Sequence, residues 1–172
     1  TEFDPRGRTD PALFDLAAQA AVGRRMTDAE RAAVTAFFLA RFPEELARTP
    51  SFRVFPGVLE LIRLLALDEH IFLGVQTGNF EITAQHKLRR AGLSHYFEFG
   101  GYASDHPERS EFIRIAVDRA STLYEAQFAP EQVVIIGDTP YDIRAALHHG
   151  FRVIAVGTGG IAHEDLQAAG AH

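Results

Sequence analysis

The sequence predicts an α/β fold: a Rossmann-like parallel sheet flanked by helices, with a small all-helical cap. Three observations predict it. From Ser51 onward, short apolar runs alternate with helical patterns, the order that gives parallel strands joined by right-handed crossovers. The run Val133-Val134-Ile135-Ile136 is continuously apolar, as a strand covered on both faces should be. Residues 1–50, by contrast, carry only helical patterns, so they form one unit and residues 51–172 the sheet-bearing core.

The elements follow in order. Asp10-Pro11 supplies a cap and a first-turn proline for a short helix over 10–21. Thr27-Asp28-Ala29-Glu30 is a capping box. Behind it Ala33, Val34, Phe37, Phe38, Phe42 and Leu46 recur at helical spacing. Pro56-Gly57 opens a helix that runs to Leu65, and 71–76 is a short apolar strand. A helix over 81–90 is stopped by Gly92, and 97–102 is a further short strand. The span 110–124 is a helix with Phe112, Ile115, Ala116 and Leu123 on one side. Strand 133–136, helix 140–148 ended by Gly150, and strand 152–156 complete the core.

Bulk properties narrow the function. The 172-residue chain is 47% hydrophobic, enough for a substantial core. Its formal net charge of −6, with acids and bases interspersed, excludes a general nucleic-acid or membrane-surface binder. Cysteine is absent, which removes disulfides and thiolate metal sites. No apolar run approaches a membrane span and no signal-peptide pattern opens the chain; the lack of cysteine fits a cytoplasmic protein.

Ligands of such sheets bind beyond the carboxyl ends of the strands, where three polar clusters fall. The first is Asp138-Thr139-Pro140-Tyr141-Asp142. Two carboxylates at roughly 5 Å repel by about 3 kcal/mol at an effective dielectric of about 20. A helix dipole offsets only ~0.3–1 kcal/mol of that, whereas a hard divalent cation such as Mg2+ would offset more. Otherwise Asp142 caps a helix and Asp138 merely ends a strand. The second cluster is Thr77-Gly78-Asn79, a strand-to-helix turn able to receive an anion, or simply a turn capped by Asn79. The third is Gly157-Thr158-Gly159-Gly160, which lacks a P-loop lysine and reads as a loop lining the site. A cation should accompany a phosphate. Lys87, the only lysine, sits mid-helix where a solvated face is expected. Arg109 enters a helix from a polar loop and is better placed, unless it pairs with Glu108 or Glu111 at the surface. The eight histidines show no ligand spacing, and no Ser-His-Asp arrangement is present.

Together these segments resemble the haloacid dehalogenase-like superfamily, in its phosphoglycolate-phosphatase-like branch with a helical cap. The resemblance rests on Phe55-Pro56-Gly57-Val58, Thr77-Gly78-Asn79, Gly137-Asp138-Thr139-Pro140 with Asp142-Ile143, Ala155-Val156-Gly157-Thr158-Gly159, and the cap-entry segment Gly7-Arg8-Thr9-Asp10. It implies a Mg2+-dependent phosphatase acting on a small phosphorylated metabolite, with no nucleic-acid or membrane partner. By that resemblance Thr77, Arg109 and Asp138 are catalytic. Thr77, Gly78, Asn79 and Arg109 bind the phosphate, Arg109 standing in for the usual lysine. Asp138 and Asp142 hold the metal. Cap residues such as Arg8, Phe37, Phe38 and Arg41 could face the substrate, although Phe37 and Phe38 also suit a bundle core.

One departure stands out. The family's nucleophile belongs to a D-x-D-G-T motif that ends the first core strand, and this sequence has none. Asp4 has too little apolar chain before it to close a strand, and Asp10 reads as a helix cap. The expectation is a core lacking its first strand, between those at 71–76 and 133–136, and incomplete on its C-terminal side as well. An upstream segment would then supply the nucleophile for an aspartyl-phosphate intermediate. The alternatives are a catalytically dead phosphate-binding or regulatory module, and a phosphosugar mutase or a dehalogenase of the same superfamily.

Overall fold

The computed structural model describes residues 6–171; Asp4, considered above, lies outside them. Two helices come first. Thr9, not Asp10, caps α1 (Asp10–Val22), its hydroxyl accepting the Ala12 amide at 3.4 Å. Asp10 is buried and its carboxylate turns to another helix, where it finds better donors. The second helix, α2 (Asp28–Arg48), starts on the expected capping box: the Thr27 hydroxyl accepts the Glu30 amide and Glu30 accepts the Thr27 amide. Thr27→Ala is expected to lower the melting temperature by about 2–4 °C in a thermal unfolding scan.

The α/β part follows as α3 (Val58–Leu65), β1 (Gly74–Thr77), α4 (Glu81–Ala91), β2 (Phe99–Tyr102), α5 (Arg109–Leu123), β3 (Val134–Gly137), α6 (Pro140–His148), β4 (Arg152–Ala155) and α7 (His163–Ala168). Strand β1 pairs with β2 in parallel, Gly74 opposite Phe99, and β3 with β4 in parallel, Val134 opposite Arg152. β1 is displaced from the predicted 71–76 because β2 begins opposite Gly74, leaving residues 71–73 beyond the ladder. Among the described residues the two pairs form separate two-stranded sheets rather than one.

Helix α5 joins the sheets, lying against β1, β2 and α6, while α6 packs on β3 and β4. The core collects there: Phe112, Ile113 and Ile143 are fully buried, with Val153 and Leu166 nearly so. Burial of each such side chain contributes about 1.5–3 kcal/mol relative to exposure. The expectation that the VVII strand is covered on both faces is corrected. Ile135 and Val153 are buried, but Val134, Ile136 and Ile154 are 46%, 45% and 48% exposed, because helices α5, α6 and α7 gather around the opposite face.

The helical pair α1–α2 meets the core at the start of α4. Phe14 and Phe38 pack edge to face at 5.1 Å, and both reach Phe80, at 5.9 and 6.3 Å. Phe37, next to Phe38, is instead 67% exposed, with the Arg41 guanidinium 5.9 Å from its ring. Helical spacing alone could not separate these two neighbours.

Candidate active site

Thr77 closes β1, Asp138 follows β3 and Thr158 follows β4, so their loops meet at the carboxyl ends of the strands. They surround a polar cavity of about 390 Å3. All six residues singled out from the sequence, Thr77, Gly78, Asn79, Arg109, Asp138 and Asp142, line it. Arg8 lines it too, whereas Phe37 and Arg41 do not.

Asp142 is the most heavily bonded group there. Its Oδ2 accepts the Thr139 amide at 3.1 Å and the Thr139 hydroxyl at 2.8 Å, a capping box at the start of α6. Its Oδ1 accepts Arg109 Nη1 and Gln76 Nε2, both at 3.0 Å. These four donors match the roughly four acceptor positions of a carboxylate. The Arg109 and Asp142 side chains are only 12% and 7% exposed, so this is a buried pair, not a surface arginine beside Glu108 or Glu111. Arg109 also donates to Gln76 Oε1 at 3.0 Å and to the Gly7 carbonyl at 3.1 Å. Gly137 permits the arrangement: a Cβ there would stand 2.3 Å from Asp142 Cβ. The charge of Asp142 is therefore balanced by Arg109 and a helix N-terminus.

Asp138 is different. Its carboxylate, half-buried, receives one side-chain donor among the described residues, the Thr158 hydroxyl at 3.4 Å. Burial first, and the Asp142 charge second, hold its carboxyl above the ordinary 3.8, with Thr158 and Arg109 opposing. An acid raised in the folded state favours folding while protonated, and that support is lost as pH climbs through the folded value. Charged Asp138 is thus a cost at neutral pH. Asp138→Asn is expected to raise the melting temperature at pH 7 by about 1–3 °C, a gain that fades as the pH falls through the carboxylate range.

The turn between β1 and α4 is rigidly bonded. Thr77 Oγ1 accepts the Asn79 amide at 3.2 Å, which leaves the hydroxyl proton free to donate. Gly78 is squeezed: a Cβ would lie 2.8 Å from the Arg8 carbonyl and 3.0 Å from Arg109 Nη2. The Asn79 side chain does not cap α4. Its Nδ2 donates to Asp10 at 2.9 Å and its Oδ1 accepts Lys87 Nζ at 2.7 Å. Lys87 is therefore not on a solvated face; burial pushes its ammonium below the usual 10.5, with Asp10 opposing.

Sequence reasoning missed Gln76 and gave Asp10 and Lys87 other places, a helix cap and a solvated face. The signals available were a glutamine inside an apolar run and a lone lysine four residues after Thr83 on α4, whose side chain is fully buried. Among the described residues no three His, Cys, Asp or Glu side chains cluster as a ready metal cage. Asp138 suits a hard cation that keeps most of its water and shares oxygens of a ligand. Asp142, with both oxygens doubly engaged, offers none without giving up a donor. None of the described helices is long and apolar enough to cross a membrane.

Comparison with known proteins is consistent with this architecture. Residues 12–156 match the family described as haloacid dehalogenase-like hydrolase, and the chain belongs to that family. Among curated relatives, the tyrosine-protein kinase PtkA of Mycobacterium tuberculosis (strain ATCC 25618 / H37Rv) is 32% identical over 87 residues, 51% of this chain and 29% of that protein. A Bacteroides vulgatus protein provisionally named a β-phosphoglucomutase superposes with a TM-score of 0.67 at 21% identity, covering 96% of this chain and 64% of that one. A predicted phosphoglycolate phosphatase from Haemophilus somnus 129pt gives 0.64 at 22% identity, covering 90% and 66%. At these identities the superpositions establish the fold. The chain spans less than a third of the kinase and under two thirds of the Bacteroides protein.

Proposed function

We propose that the protein carrying this chain is a Mg2+-dependent phosphomonoester hydrolase for a small phosphorylated metabolite. The observation that carries this is one cavity lined by the bonded Thr77-Gly78-Asn79 turn, by Arg109 beside Gly78, and by the sparsely bonded Asp138 carboxylate. Thr77 donates a hydrogen bond from its hydroxyl to a phosphoryl oxygen, while the Asn79 and Phe80 amides serve to hold the turn through Thr77 Oγ1 and Asp10. Arg109, oriented by Asp142 and Gln76, balances anionic charge as it develops on the transferring group. Asp138 would hold the metal, and Asp142 would join it only by giving up one of its present donors. When bound, Mg2+ supplies a Lewis acid for the phosphoryl oxygens. The nucleophile is an aspartate of a segment upstream of residue 1: its oxygen bonds to phosphorus as the ester P–O bond breaks, the alcohol leaves with a proton from a second acid of that segment, and water then hydrolyses the aspartyl-phosphate. Helices α1 and α2 act as a cap over the site, with residues 51–172 as the catalytic core.

The test is hydrolysis of p-nitrophenyl phosphate by the intact protein with Mg2+ present. Turnover is expected, and excess EDTA should abolish it; turnover that survives EDTA rejects the metal assignment. The complete bonding of Asp142, Arg109 and Gln76 favours a second reading, a module that binds phosphate without turning it over. Inorganic phosphate affinity in a protein inert toward phosphomonoesters would support that reading instead.

A further inference from the structure

We propose that Asp10 and Lys87 are positioning residues that clamp the Thr77-Gly78-Asn79 turn, linking its shape to the seating of the α1–α2 pair. The proposal rests on reading that turn as the phosphate subsite. Asp10 holds three consecutive residues. Its backbone N–H donates to the Gly78 carbonyl at 2.7 Å. Its Oδ1 accepts Asn79 Nδ2, and its Oδ2 accepts the Phe80 amide, both at 2.9 Å. The Thr83 hydroxyl approaches the same Oδ2 at 3.4 Å. Phe80 occupies the cap position of α4 and has no polar side chain to cap it, so α1 supplies the carboxylate across space. Lys87, on α4, comes from the other side: its Nζ reaches Asn79 Oδ1 and lies 5.8 Å from the Phe42 ring of α2.

Hydrogen-bond polarity makes this a one-way relay. An ammonium only donates, so the Asn79 oxygen must face Lys87. The Asn79 NH2 must then face Asp10, and the atom there must accept. In Asp10→Asn, one oxygen can still take the Phe80 amide, but an NH2 meets the Asn79 NH2. Flipping Asn79 relieves that clash only by turning its NH2 onto Lys87. Neither orientation satisfies every group while Lys87 is present. Lys87→Met removes the second donor, so in Asp10→Asn/Lys87→Met the Asn79 amide can flip and accept from the carboxamide introduced at position 10.

The decisive measurement is a double-mutant cycle on the intact protein, read as inorganic phosphate affinity by calorimetry and as melting temperature. Asp10→Asn should weaken phosphate binding about tenfold or more. Asp10→Asn/Lys87→Met should bind more tightly and melt higher than Asp10→Asn alone. Independent structural losses would instead add, and a double variant weaker than Asp10→Asn overturns the relay. If Asp10→Asn does not accumulate folded, Lys87→Gln against Lys87→Met decides. Gln keeps a donor toward Asn79 and should bind phosphate within about twofold of the wild type, whereas Met should be about fivefold weaker. Equal affinity of the two overturns the clamp. A wild-type protein without phosphate affinity overturns the subsite and the positioning role together; the melting-temperature cycle distinguishes that from failure of the relay itself.

Discussion

Asp142→Ala is expected to cost about 3–5 kcal/mol of folding stability, measured as the shift in a urea unfolding curve. The figure follows from what the substitution strands. Arg109 would keep its charge in a pocket where its side chain is only 12% exposed, with Gln76 and a backbone carbonyl as its remaining partners. Thr139 would lose both bonds to Oδ2, and α6 would lose its reciprocal cap. An exposed ion pair is worth at most about 1 kcal/mol, so a loss that small would show that water reaches the Arg109–Asp142 contact. Replacing both partners, as Arg109→Met/Asp142→Leu, is expected to cost less than Asp142→Ala alone, since no charge is left unpaired.

The second large effect is expected in turnover. Asp138→Asn should reduce Mg2+-dependent hydrolysis of p-nitrophenyl phosphate by about 100-fold or more, without loss of folded protein. The two acidic groups separate in this comparison. Asp142 is committed to Arg109, Gln76 and Thr139, so its removal destabilises; among the described residues Asp138 receives a side-chain bond only from Thr158, so its removal disarms. Unchanged turnover in Asp138→Asn would reject the proposed metal role.

Local chemistry was legible in the sequence. The capping box at Thr27, the glycine stop at Gly92 and the order of strands and helices are written in neighbouring residues, and each is found in the fold. The convergence of Thr77, Arg109, Asp138 and Asp142 on one cavity could also be anticipated, because parallel topology gathers strand ends. The wiring between them could not. Arg109 meets Gln76 across 33 positions, Gln76 meets Asp142 across 66, and Asn79 meets Asp10 across 69. Such pairings depend on tertiary placement, which neither propensity nor spacing encodes. Asp10 illustrates the limit: a local rule makes it the cap of its own helix, but Thr9 takes that role and frees the carboxylate for α4.

The outward row of Val134, Ile136 and Ile154 has a practical consequence. A preparation confined to residues 6–171 would present an adhesive apolar ribbon to its neighbours, so self-association should grow with protein concentration. Dye fluorescence and light scattering would register it at the bench, well before any assay of catalysis.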